Sequence, residues 1–274
     1  MFSCVKVKET GFDDIFKTHR NVLQITVDPE KPTQIVSKKD LYSRQQLYVL
    51  VNIQHTSDSN AVTKGELEQL WWLFHKAEIE RLVSRNREFG SAVLNQTIAE
   101  HTGLDIVMQQ DFIIAKKDTH FIWLRLDREK PVGGYQHQIN QGIMIYSRPY
   151  KDTNQFSDSS LFAWKNQING KYIEGPAGSH MAISTKLYLP QTYFITFRGY
   201  AAKEIRGLWR MDGVDGVFMG GPFYALSFVN VYNGRQYMID GYVYGPQFDK
   251  LPFVREIEAI AKSVKPVQDK EEAQ

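Results

Sequence analysis

Cysteine is almost missing from this chain of 274 residues, with Cys4 its single example. An intramolecular disulfide is therefore impossible, and a zinc site built on several thiolates is excluded. Long apolar runs are missing as well. Stretches such as Leu47 to Ile53 fall far short of the roughly 20 apolar residues that a membrane-spanning helix needs. Neither sign of charge dominates: 33 Lys and Arg face 31 Asp and Glu. That balance argues against a surface built to hold a nucleic-acid backbone, whose capture depends on clustered cations. No basic start followed by an apolar stretch precedes Cys4, so no secretory signal is expected within these residues. The opening FSCVKV would equally suit a chain from which an export signal has been removed.

Familiar chemical motifs are scarce too. The seven histidines are scattered singly, without a His-x-His or His-Glu-x-x-His pair. His75 and Glu78 share a helix face at a spacing known from di-iron helices, but no second Glu-x-x-His accompanies them. They read as part of a solvated polar face, and neither metal nor cofactor is expected. The segment EGPAGSH (174 to 180) sets Ser179 and His180 in a glycine-bearing turn that could cradle an anion. It lacks the Lys and Ser/Thr of a phosphate loop, which favours a structural turn.

What the chain does have is alternation. NVLQITVD (21 to 28), QLYVLVNIQ (46 to 54), HFIWLRLD (120 to 127), QGIMIYSRPY (141 to 150), YFITFRG (193 to 199), FYALSFVNVY (223 to 232) and QYMIDGYVYG (236 to 245) all repeat with the two-residue period of a strand. Asn233-Gly234 between the last two favours the positive φ angles of a tight hairpin turn. A helix is expected from Thr63, whose hydroxyl can form a capping box with Glu66, with Leu67, Leu70, Trp71, Phe74 and Ala77 as an apolar stripe. A second helix runs from Ser91 to Thr102 and stops at Gly103. A third runs from about Leu251 to Val264, with Phe253, Ile257 and Ile260 spaced for burial.

These elements predict an α+β fold of largely antiparallel sheet covered by a few helices. A strand, strand, helix order recurs in roughly residues 21 to 86, 120 to 170 and 223 to 264, suggesting repeated ββα units. Residues 1–264 are expected to form one compact region, or two packed subdomains over about 1–118 and 119–264. The polar tail 265–274 is expected to be disordered.

The least ordinary stretch is KEIRGLWRMDGVDGVFMGGPFYALSF (203 to 228). Glu204, Arg206 and Arg210 bracket Trp209, a combination common at interaction hot spots. Gly220 and Gly221 permit close backbone approach. The alternative is that Trp209 fills the core and the glycines form a corner or bulge.

HRN (19 to 21), HFIWLRLD, IMIYSRPY, the GP-x-GSHM turn, RGLW (206 to 209), MGGPF (219 to 223), GYVYGP (241 to 246) and REIEAI (255 to 260), in that order, resemble an uncharacterised bacterial family, a domain of unknown function. Its members are typically predicted envelope lipoproteins. The resemblance spans Phe12 to Val264 and implies residence in the bacterial envelope with membrane contact only through a lipid anchor in the parent protein. It carries no established activity. It directs attention to Arg206, Trp209, Gly220, Gly221, Phe223, Arg255 and Glu258.

Three functional readings follow. The first is an envelope-associated protein that binds another protein or a cell-surface polymer through an aromatic, Arg-bearing surface near Trp209. The second is a hydrolase, for example carbohydrate-active, with Glu204 or Glu258 acting beside His180. The third is a scaffold subunit of an assembly.

Overall fold

Alternating residues can keep water on one sheet face, but the central strands Gly220–Asn230 and Arg235–Tyr244 are buried on both faces, because helices cover each side of the sheet. The computed structural model describes residues 4–54 and 64–267. It is an α+β structure with a largely antiparallel strand arrangement, as the alternation requires. Two compact units divide the chain, Met1–Arg81 and Leu82–Gln274. Thr63, with the expected capping box, lies outside the described residues, as does the tail from 268 onward.

In the first unit, a short helix α1 (Asp14–Lys17) precedes β1 (Asn21–Val27), β2 (Gln34–Lys39) and β3 (Leu47–Ile53). β3 is the middle strand, antiparallel to β2 but parallel to β1. The parallel pair departs from the antiparallel expectation. α2 (Lys64–Phe89) begins in this unit, where Leu70 and Ala77 join Leu47, Val49 and Val51 in a small core. Two members of the expected stripe lie outside that core: Leu67 and Trp71 are exposed. His75 is not on a solvated face. It is buried and stacks on Trp71 with ring centroids 4.8 Å apart, while Glu78 accepts hydrogen bonds from Asn21 and Arg81.

The second unit is organised by an eight-stranded sheet. Its strands are β5 (Ile113–Asp118), β6 (Phe121–Val132), β7 (Tyr135–Pro149), β8 (His180–Ser184), β9 (Gln191–Phe197), β10 (Tyr200–Asp212), β11 (Gly220–Asn230) and β12 (Arg235–Tyr244). Their spatial order is β5-β6-β7-β12-β11-β10-β8, with β9 also paired to β10. The helices α3 (Ala92–Thr102), α4 (Asp158–Tyr172) and α5 (Leu251–Ser263) complete the unit, together with the short pair β4 (Leu104–Asp105) and β13 (Lys265–Pro266). The orders β6-β7-α4 and β11-β12-α5 match the strand, strand, helix pattern seen in the sequence.

Parity decides which face each side chain meets. Ile143, Ile145, Tyr224, Leu226, Ile239 and Val243 meet α3 and α5 in one buried cluster. Met144, Tyr146, Phe223, Ala225, Met238 and Tyr242 form a second cluster with Leu161 and Trp164 of α4. α3 is capped as its ends suggested: Ser91 Oγ accepts from the Leu94 N–H, and Gly103 takes the left-handed conformation at φ 71°. The β11–β12 hairpin exists, but four residues connect its strands, and positive φ is confined to Gly234 within that connection. Asn233 contributes through its side chain, accepting from the Arg235 N–H and donating to the Tyr237 hydroxyl.

The stretch 203 to 212 is continuous strand, inside β10. Three partners enforce it: β11 along one edge, and β8 and β9 end to end along the other.

Candidate functional site

On the α4 face of the large sheet, beyond the C-terminal end of α4, lies a cleft of about 660 Å³. Its aromatic lining comes from Trp123 of β6, Trp209 of β10 and Tyr242 and Tyr244 of β12. Arg125, Asp127 and Asn140 supply polar groups, and the segment Ile173 to Pro176 forms a wall.

Local sequence explains each placement. Trp123, Arg125 and Asp127 are alternate residues of one strand and so share a face. The Trp209 indole donates to the Val243 carbonyl at 3.1 Å, which fixes the ring over the β10–β11–β12 layer. This bond crosses Gly221, where a Cβ would sit 2.0 Å from the Val243 oxygen and 3.2 Å from the indole nitrogen. Trp209 meets Tyr242 with centroids 5.6 Å apart in an edge-on arrangement and Tyr244 at 6.3 Å. The wall is held by its own hydrogen bonds: Ser179 Oγ donates to the Pro176 carbonyl at 2.7 Å, and the Gly175 N–H to the Ser179 carbonyl at 2.7 Å. EGPAGSH is thus a structural turn that also borders the cleft.

The polar side is prearranged. Arg125 forks onto both oxygens of Asp127, at 3.1 and 3.0 Å, and Asn140 donates to the same carboxylate. The Arg125 guanidinium also stands 5.7 Å from the centre of the Trp123 ring. Burial pushes the Tyr242 phenol well above its usual range, opposed in part by Arg125 and the nearby Trp123 N–H. Aromatic faces beside fixed donors and acceptors suit a ligand with both apolar and hydroxyl-bearing sides.

The residues singled out from the sequence divide between two places. Trp209 is only 2% exposed and belongs to the core, as the structural alternative held, while bordering the cleft. It is not a projecting surface anchor. Gly221 and Gly220 pair with Trp209 and Arg210 in the β10–β11 register. Arg210 pairs with Asp212 at 2.9 Å. Phe223 is buried under α4, with Lys165 Nζ 4.3 Å from its ring centre.

Glu204, Arg206 and Glu258 sit on the opposite face, against α5. Arg206 grips Glu258 through two hydrogen bonds, at 3.0 and 2.8 Å, and Glu204 through one at 3.1 Å. Lys262 closes the group, 2.9 Å from Glu204 and 3.0 Å from Glu258. Burial alone would weaken the Arg206 charge, but Glu258 outweighs it and holds the guanidinium more firmly protonated than usual. The group pins α5 to the sheet. Arg255 lies half-buried on the same helix, away from the cleft lining.

The arrangement required for Glu204 or Glu258 to act with His180 does not form. His180 pairs with Asp212, eight strand positions from Glu204, so about 26 Å separates them at a rise of ~3.3 Å per residue. Glu258 is bound into the Glu204 end of that span. Among the described residues, no group of three or more His, Cys, Asp or Glu is placed to hold a metal ion, and no helix is long and apolar enough to cross a membrane.

Sequence reasoning missed Trp123, Arg125, Asp127, Asn140 and Tyr244 as site residues. A signal did exist in the odd-numbered side of HFIWLRLD, which carries Trp, Arg and Asp in succession.

An α+β protein with an aromatic-lined, hydroxyl-compatible cleft is the class that these features define. The chain belongs to the family described as Domain of unknown function (DUF4837), whose model matches residues 91–263. A second model, Domain of unknown function (DUF8532), matches residues 1–87. No curated protein matches the chain. Among solved structures it shows a distant likeness to the Saccharomyces cerevisiae Ran-binding protein Mog1p, with 10% identity and a TM-score of 0.38, covering 61% of this chain and 91% of that one. A mutant of protein Mog1 gives a TM-score of 0.34 at 10% identity, covering 61% and 92%. Likeness at this level carries no inference about partner or activity.

Proposed function

We propose that this is an envelope-associated binding protein whose cleft takes a glycan segment of a cell-surface polymer. The observation that carries the reading is the juxtaposition of Trp123, Trp209 and Tyr244 with the Arg125–Asp127–Asn140 group in one cleft. Sugar rings present C–H faces that stack on aromatic rings, and hydroxyls that exchange hydrogen bonds with fixed guanidinium, carboxylate and amide groups. A volume of about 660 Å³ lies within the ordinary range of ligand sites, roughly 300–1,000 Å³. The envelope location rests on the sequence resemblance described above.

The test is titration of the full chain with soluble fragments of bacterial surface polysaccharides, followed by tryptophan fluorescence and calorimetry. Binding should be saturable and fall at least tenfold in Trp123→Ala, because that ring is half-exposed in the cleft. A panel of neutral and acidic glycans that leaves both signals unchanged would refute the reading.

Hydrolysis of the bound glycan is a second reading, favoured by three carboxylates along the same cleft, Asp127 and Glu129 of β6 and Glu174 of the facing wall. Chromatography of the titration mixtures distinguishes the two, since binding alone returns the glycan intact.

A further inference from the structure

The link between β8 and β9, residues 185–190, leaves the sheet edge and returns to almost the same place. Ser184, the last residue of β8, pairs with Leu208 of β10, and Gln191, the first of β9, pairs with Arg206. One residue facing Gly207 would continue the edge, yet six are present. Their ends stand two positions apart along β10, about 7 Å at a strand's rise per residue, so the six arch outward. Pro190 seats the base, its ring so close to Gly207 that a Cβ added there would fall 3.2 Å away. The crest is apolar: Leu187 is 76% exposed, Tyr188 73% and Leu189 75%. Among the described residues no other three consecutive large apolar side chains are exposed, and none of these joins a buried cluster.

Charge around the arch has one sign. From Gly175 to Lys203 the chain contains no Asp or Glu, and Lys186 stands exposed beside Leu187. Asp158 reaches Thr192 at the foot of β9, but it is already paired with Lys203. Phe194, further along β9, adds a ring that is 71% exposed.

Consecutive residues of an arch point different ways. A protein groove reads side chains that share one side, as alternate strand residues or every third or fourth helix residue do, whereas a fluid apolar phase takes all of them at once. Leucine enters hydrocarbon readily, tyrosine settles at the headgroup level, and a lysine beside them meets lipid phosphates. We propose that residues 185–190 form a membrane-surface loop that inserts Leu187, Tyr188 and Leu189 into the interface of a bilayer bearing anionic lipid. Insertion is shallow, since the apolar face of an interfacial segment reaches about 5–10 Å into the boundary between headgroups and acyl chains. The pairing of β8 and β9 with β10 braces the loop from behind.

Sedimentation of the full chain with vesicles tests this. Vesicles of phosphatidylethanolamine and phosphatidylglycerol should carry wild-type protein down in a saturable way. Leu187→Ser combined with Leu189→Ser removes the inserted methyl and methylene groups and should weaken binding roughly tenfold or more. Lys186→Gln should weaken it about fivefold, the worth of one lysine near an anionic surface, and leave the weaker binding to phosphatidylcholine vesicles unchanged. All three positions are exposed, so the variants should keep the wild-type urea midpoint, which separates lost binding from lost folding. Wild-type protein that stays in the supernatant with the anionic vesicles would overturn the proposal and assign the crest to a protein partner. Equal binding by wild type and the double leucine variant would overturn it too, placing the lipid contact elsewhere on the chain.

Discussion

The ring of Tyr242 lies across the backbone of Gly142, so that a Cβ added to Gly142 would fall 2.1 Å from the ring. The two residues are direct partners between β7 and β12, and Tyr242 in turn buttresses Trp209. One missing side chain on β7 therefore sets the level of the cleft floor on the neighbouring strand.

Gly142→Ala should displace the Tyr242 ring and disturb the floor. Overpacking of this kind costs about 1–3 kcal/mol, measurable as a lower urea midpoint. Glycan affinity should fall with it. Unchanged stability and affinity would show that the ring can move aside freely.

Trp209→Phe keeps an aromatic ring but removes the N–H that satisfies the Val243 carbonyl. Leaving that buried acceptor unpaired should cost about 1–3 kcal/mol. Trp209→Ala opens a cavity as well and should cost about 3–5 kcal/mol. Chemical denaturation of the two variants in parallel separates the hydrogen bond from the packing.

Arg206→Leu takes from the buried Glu204 and Glu258 the guanidinium they share, while Lys262 still contacts both. Breaking a buried ion group by removing one partner costs about 3–5 kcal/mol at neutral pH. Urea denaturation measures the loss, and an unchanged midpoint would remove Arg206 from the account.

Asp158 predicts a pH dependence in the wild-type protein. A hydrogen bond from Lys203 holds its carboxyl below the usual aspartate range. The stability this supplies is complete above the unfolded aspartate pKa, near 4, and is lost as pH falls through the lower folded value. Asp158→Asn should flatten that acid limb. Asp158 is half-exposed, so the difference should also diminish in high salt. Equal acid limbs in the two proteins at low salt would remove Asp158 from the account.

The legibility of the fold varied with how local its causes were. β6, β7, β11 and β12 show alternation in their own residues, and α3 shows both caps. β10 does not: Lys203, Glu204, Arg206 and Arg210 give it the look of a polar connection. Its charges are tolerated because partners from elsewhere meet them, Asp158 for Lys203 and Glu258 for Arg206. His75 looked solvated even though Trp71, one helical turn earlier, was already placed to stack on it; that signal was local and was passed over.

By itself, the order of amino acids determined which segments alternate, where helices start and stop, and hence the α+β class. These depend on backbone preference and on neighbours within a few residues. Only the tertiary structure decided that Trp123, Trp209 and Tyr244 share one cleft, that Glu204 and His180 lie far apart, and that Lys165 meets Asp240. Each of those relations joins residues from separate elements, and strand order and register, set by packing across the whole sheet, decide which side chains meet.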